Sequence, residues 1–193
     1  MLTLRESSLD DFIEWYLRRE KRKDRSAEVP DTSEGRLSLM REKHSGKLRD
    51  SFHSSAWSIV LLNRIDELEN LIFLESQWTK KERLVIPDGT PNYRLLSRVA
   101  ENALGSNYLG STVDPRHRQY YEAMRSCHFR LECSSRLALC TASESERRSN
   151  PSGVYYLHDG AGRALAYLLL IKERKGQFEP VEAFIAEAVA TAH

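Results

Sequence analysis

Asp159 and Arg163 are four residues apart, and between them lie Gly160, Ala161 and Gly162. An acid and a fixed cation flanking a glycine-rich turn can position an anion. The segment before them, Val154-Tyr155-Tyr156-Leu157, is aromatic and aliphatic and reads as a buried strand, with His158 at its end. The segment after them, from Ala164 to Ile171, is rich in Ala and Leu and reads as a helix, closed by Lys172-Glu173-Arg174-Lys175 and Gly176. A strand entering a helix through such a turn presents unpaired backbone N–H groups and the positive end of the helix dipole to whatever lies above it. The alternative is a structural corner in which Asp159 caps the helix and the glycines permit the turn.

Other side chains could take part in chemistry. Arg116, His117 and Arg118 fall near the start of a helix expected over Pro115–Cys127, with Asp114 as its cap, and are candidates for an anionic substrate. His158 and His117 are candidate proton carriers, although a lone histidine also serves as a surface or core residue. Cys127, Cys133 and Cys140 are odd in number and lack a paired C-x2-C element, so buried or half-buried free thiols are expected and no metal site is assigned.

These residues need a scaffold. With 193 residues, 40% hydrophobic and 30% charged, the chain suits a globular domain with a sizeable core. Lys and Arg total 29 against 28 acids, so the net charge of +1 provides no global pull on nucleic acid, which is not expected as a partner. The opening MLTLRESSLDDF lacks the pattern of a secretory signal and no stretch is long enough to span a bilayer, which gives a cytoplasmic expectation without a membrane partner.

Along the chain, Leu9, Phe12, Ile13, Tyr16 and Leu17 recur at helical spacing, with Ser7 or Ser8 as cap. The helix is expected to end in a solvated, mixed-charge run from Arg18 to Arg25. Residues Ser26 to Asp50 are polar and read as the least regular part, with a short helix over Leu37–His44. Residues 1–50 are therefore expected to form an N-terminal helix with an irregular extension, and residues 51–193 the main domain. Ser54–Leu74 reads best as one long helix, with a strand over Trp57–Leu62 followed by a helix as the competing reading. Leu84–Ile86 precedes the Pro87-Asp88-Gly89 turn, and Tyr93–Leu104 has helical spacing. Phe129–Cys133 and Ser135–Thr141 read as strands, Ala142–Gly153 as a turn-rich loop joining a hairpin, and Val181–Ile185 as a last strand.

At Leu157-His158-Asp159-Gly160-Ala161-Gly162-Arg163-Ala164-Leu165-Ala166 the chain resembles the ParB/sulfiredoxin-like superfamily, whose strand and helix are joined by D-G-x-H-R. The resemblance covers roughly Asp114 to Ala186. The order of elements gives an α+β fold with a helical N-terminal half, and the resemblance implies that this is followed by a ParB/sulfiredoxin-like small mixed sheet with a central helix. It also implies nucleotide binding, ATP or another nucleotide with Mg, with Gly160, Ala161, Gly162 and Arg163 near the phosphates. Asp159 and His158 are then the candidate catalytic residues of a kinase-like phosphotransferase acting on a small hydroxylated metabolite. Gly162 replaces the motif's His, and Ala161 stands where sulfiredoxins carry their reactive Cys, so sulfinic-acid reduction is not expected. A non-catalytic binding module of the same fold, or an enzyme holding another small anion at the turn, are the alternatives. Phosphoryl transfer needs its phosphates positioned and their charge offset, which Arg163 and the turn amides could do.

Overall fold

The computed structural model describes residues 1–23, 28–74, 93–105, 122, 136–148, 150–173 and 177–189. Among the described residues seven strands form one mixed sheet: β1 (Leu2–Ser7), β2 (Ser55–Leu62), β3 (Ile72–Leu74), β4 (Tyr93–Leu95), β5 (Leu137–Thr141), β6 (Tyr155–Asp159) and β7 (Val181–Ala188). Their order across the sheet is β1-β2-β7-β5-β6-β3-β4. The β7–β5 and β6–β3 pairs are parallel, and the other pairs are antiparallel.

Among the described residues six α-helices flank this sheet: α1 (Leu9–Lys23), α2 (Ser33–His44), α3 (Ile65–Glu69), α4 (Leu96–Gly105), α5 (Glu144–Arg147) and α6 (Ala161–Lys172). The alternation of side chains along the strands sorts the core into two layers. Val60, Leu62, Leu137, Leu139, Leu157, Val181, Ala183 and Ile185 join α4 and α6 on one face. Trp57, Ile59, Ala138, Cys140, Tyr156, Phe184 and Ala186 meet Phe12, Ile13, Tyr16, Leu17 and Met40 of α1 and α2 on the other. Because both faces are covered, the middle strands are apolar throughout, as in β5, where only Thr141 escapes full burial.

Local chemistry explains the helices. Ser8 Oγ accepts from the Asp11 N–H at 3.1 Å, while Asp11 Oδ2 accepts from the Ser8 N–H at 2.9 Å, a reciprocal cap that starts α1. Thr32 caps α2 by accepting from the Gly35 N–H at 3.1 Å. In α4 the buried residues Leu96, Val99, Ala100 and Ala103 keep one face toward the sheet. Helix α6 is buried from Ala164 through Leu170, so its apolar surface runs all round rather than along one stripe.

Several sequence expectations change. Ser54–Leu74 is not one helix: it forms β2, the five-residue α3 and β3, the competing strand-first reading with a second strand added. The side chains show why, since Trp57 and Ile59 enter one layer while Val60 and Leu62 enter the other, as a period of two demands. The described part of the first half is not a helical half, because it supplies β1 to β4 as well as helices. Leu2–Ser7, given no strand by the sequence reading, pairs with β2. Tyr93–Leu95 is a strand and the helix begins only at Leu96. Ser26–Asp50 is more regular than expected: α2 starts at Ser33, and 3-10 turns follow at Ser45–Lys47 and Asp50–Ser54.

Other expectations appear as drawn. The hairpin of β5 and β6 is antiparallel, its connection adds only α5, and β7 follows α6. The mixed α and β architecture with α6 against the sheet is present. The expected elements at Leu84–Ile86 and Phe129–Cys133 lie outside the described residues, as does Pro115–Cys127 apart from Glu122. Among the described residues no helix is long and apolar enough to cross a membrane.

Candidate functional site

The turn between β6 and α6 is built around Gly160, whose φ of +92° places it in the left-handed region as the N-cap of α6. A Cβ there would lie 2.6 Å from Leu137 Cδ2 and 2.9 Å from Arg163 Nη2. Only glycine meets both constraints. Among the described residues no side chain caps α6: the Asp159 carboxylate turns elsewhere, so of the structural-corner reading the cap is not found, while the glycine that permits the turn is.

Asp159 is 8% exposed, and three cations converge on it. Arg19, from α1, donates Nη1–H to Oδ2. Lys47, from the 3-10 turn after α2, donates to Oδ1 at 3.1 Å. Arg163, in the first turn of α6, brings Nη2 within 3.6 Å of Oδ2 and donates from the same nitrogen to the Arg136 carbonyl at 3.0 Å. Burial alone raises the Asp159 carboxyl, but the charges of Arg19, Lys47 and Arg163 outweigh it and bring it down to about 2. The group is an anion at any physiological pH, and a weak base.

Each cation is held by its own surroundings. The Arg19 guanidinium carbon lies 4.9 Å from the ring centroids of both Trp15 and Tyr16, and Glu20 accepts from its Nη2 at 3.0 Å. Lys47 precedes Arg49 by two residues. Arg49 bonds Glu146 at 2.6 Å and lies 4.3 Å over the Tyr156 ring, fixing the chain that carries Lys47.

His158 contributes differently. It donates Nε2–H to the Lys47 carbonyl at 2.9 Å and meets Phe52, Phe12 and Tyr156 edge-on. Burial pushes its imidazole down to about 4, with the Arg49 and Lys47 charges adding to that and the bond to the Lys47 carbonyl opposing it. It is neutral above that range, and its Nε2–H is spent on the backbone. This geometry supports a role in holding the Lys47 turn against β6 rather than in moving protons.

Of the residues selected from the sequence, Asp159, His158, Gly160, Ala161, Gly162 and Arg163 are therefore contiguous at one end of β6. Arg116, His117 and Arg118 lie outside the described residues, as do Cys127 and Cys133; Cys140 is buried and free. Two members were missed. Arg19 was assigned to a solvated helix end, yet its side chain is only 16% exposed. Lys47 belongs to the stretch expected to be irregular. A signal for Arg19 exists, because it continues the Phe12, Tyr16 face of α1 at the next helical position.

The donor set suits a phosphate: guanidinium and ammonium groups beside a helix N-terminus that no described side chain caps. It suits Mg²⁺ less well, since both oxygens of Asp159 already accept from cations. Comparison with known proteins returns no match, whether to a family model, a curated protein or a solved structure.

Proposed function

We propose that this chain binds a nucleotide through its phosphates at the turn from Gly160 to Arg163, as a ParB/sulfiredoxin-like module. One observation carries the reading: Arg19, Lys47 and Arg163, from three separate elements, are gathered beside a helix start that no described side chain caps. The order of strand, glycine turn, helix and strand in β6, α6 and β7 supports it, and so does the acid-and-arginine pair of the motif. The turn amides would take phosphate oxygens and the cations would offset their charge.

Binding without catalysis is the form that the geometry favours. Phosphoryl transfer to a small hydroxylated acceptor needs a carboxylate to receive a proton or hold Mg²⁺. Asp159 is a weak base whose oxygens are occupied. The transfer reading rests on its being ionised next to the turn.

The test is a thermal-shift screen of the wild type and Arg163→Ala with ATP, ADP, CTP and GTP, each with and without Mg²⁺. A bound nucleotide at 100 times its Kd stabilises by about 2.7 kcal/mol. A rise with one nucleotide that Arg163→Ala abolishes supports the site; no rise with any of them rejects it. Release of the nucleoside diphosphate in the presence of a hydroxylated acceptor would move the conclusion from binding to transfer.

A further inference from the structure

A carboxylate and a phosphate are recognised by the same groups. Both accept parallel N–H···O bonds from guanidinium and point-charge contacts from ammonium. In this protein the cations best placed for a phosphate already hold a carboxylate. Arg19 and Arg163 meet Oδ2 of Asp159 and Lys47 meets Oδ1, so both oxygens are used. Among the described residues the three cations of this cluster meet two carboxylates, Asp159 and Glu20. The side chains of Arg19 and Arg163 are 16% and 13% exposed, against 38% for Lys47. Lys47 is the most exposed of the three, and an incoming anion competes with Asp159 for all of them.

We propose that Asp159 is an internal stand-in for the ligand's phosphate, holding Arg19, Lys47 and Arg163 together and competing with an incoming oligophosphate for them. This rests on the nucleotide reading, because it concerns the same cations. It assigns Asp159 a role different from the proton acceptor or Mg²⁺ ligand of a transferase. A residue that helps to hold the ligand weakens binding when neutralised. A stand-in does the reverse: neutralising it tightens anion binding and destabilises the empty protein, whose three cations lose the one carboxylate they share. The two effects have opposite signs, and a purely structural ion pair produces only the second.

The experiment uses the full chain, wild type and Asp159→Asn, titrated with inorganic pyrophosphate in the absence of Mg²⁺. Ionic strength is held constant with NaCl and the melting midpoint is read. In chloride, Asp159→Asn melts below wild type. It regains its midpoint with pyrophosphate at a half-saturating concentration about tenfold lower than wild type requires. A half-saturating concentration equal to or above that of wild type, or recovery by chloride alone, overturns the proposal.

Should Asp159→Asn not fold, Lys47→Met is read instead. Loss of this most exposed cation leaves the midpoint in chloride nearly unchanged and raises half-saturation by about fivefold; an unchanged titration overturns the proposal. The two failures are distinguishable. If neither wild type nor the variant responds to pyrophosphate or any nucleotide, the phosphate site itself is rejected. If wild type responds and Asp159→Asn responds no better, only the stand-in role is lost.

Discussion

Arg19 donates to the carboxylate of Asp159 across 140 residues of sequence, tying the end of α1 to the carboxyl end of β6. This bond links the helical layer of α1 and α2 to the glycine turn that starts α6 in the opposite layer. The side chains at both of its ends are mostly shielded from solvent, so it is screened far less than a surface pair.

Arg19→Met is expected to destabilise the protein by about 3 kcal/mol, because it leaves a buried carboxylate short of its hydrogen-bonded partner. Urea unfolding followed by tryptophan fluorescence measures this, with Trp15 and Trp57 both close to the affected layer. A loss below about 1 kcal/mol, the range of exposed pairs, would show that Lys47 and Arg163 suffice for Asp159.

Stability is expected to fall in two acid steps. The folded His158 imidazole is lowered from 6.5 to about 4, so between those values the unfolded chain binds more protons and stability rises with pH. About 3 kcal/mol is fully present above pH 6.5 and is lost as the pH falls to about 4. The Asp159 carboxyl, lowered from 3.8 to about 2, adds about 2 kcal/mol that is present above 3.8 and is lost as the pH falls through 2. His158→Gln keeps a donor for the Lys47 carbonyl but does not titrate. Denaturation midpoints measured from pH 7 to pH 4 should therefore flatten in this variant; an unchanged slope would assign the first step to another group.

Gly160→Ala is expected to cost about 2 kcal/mol or more, since the left-handed backbone disfavours a Cβ and Leu137 leaves no room for one. The displaced Arg163 should also lose its place beside Asp159, so any nucleotide-dependent rise in melting midpoint should disappear. A variant as stable and as responsive as wild type would rule out the turn geometry described for Gly160.

Cys140 is expected to resist thiol reagents in the native state. Burial pushes its thiol up to about 11, against a smaller opposing effect from Arg49, and the sulfur is enclosed within the sheet layer of α1. Peptide mapping after labelling at pH 7.5 should show Cys140 modified only when denaturant is added. Rapid labelling without denaturant would mean that β5 opens readily.

The parts of this fold that were legible in the sequence are those fixed by local chemistry. The cap and apolar spacing of α1, the Ala- and Leu-rich α6, the β5–β6 hairpin and the Asp159–Arg163 turn all carry their signals within about a dozen residues. The sheet's remaining strands did not. Trp57–Leu62 is apolar on both sides because helices cover both faces of the sheet, and a doubly buried strand has no alternation to separate it from a helix. Leu2–Ser7 is an exposed edge strand, so it has no buried face to betray it. At the site, the groups supplied by β6 and α6 were readable. Lys47 was not, and the helical position of Arg19 signals only its burial, because their role depends on pairing with Asp159 across 112 and 140 residues.

The strand order also constrains how the protein is made. β7, the last of the seven strands to be synthesised, lies third across the sheet, between β2 and β5. Until Val181–Ala188 is made, no strand joins β2 to β5, and the β1–β2 pair meets the rest of the sheet only through the helices packed on its faces. A ribbon of two strands is marginal in water. Chains stopped before β7 should be sensitive to proteases and chaperone-bound, and completion should convert them in one cooperative step.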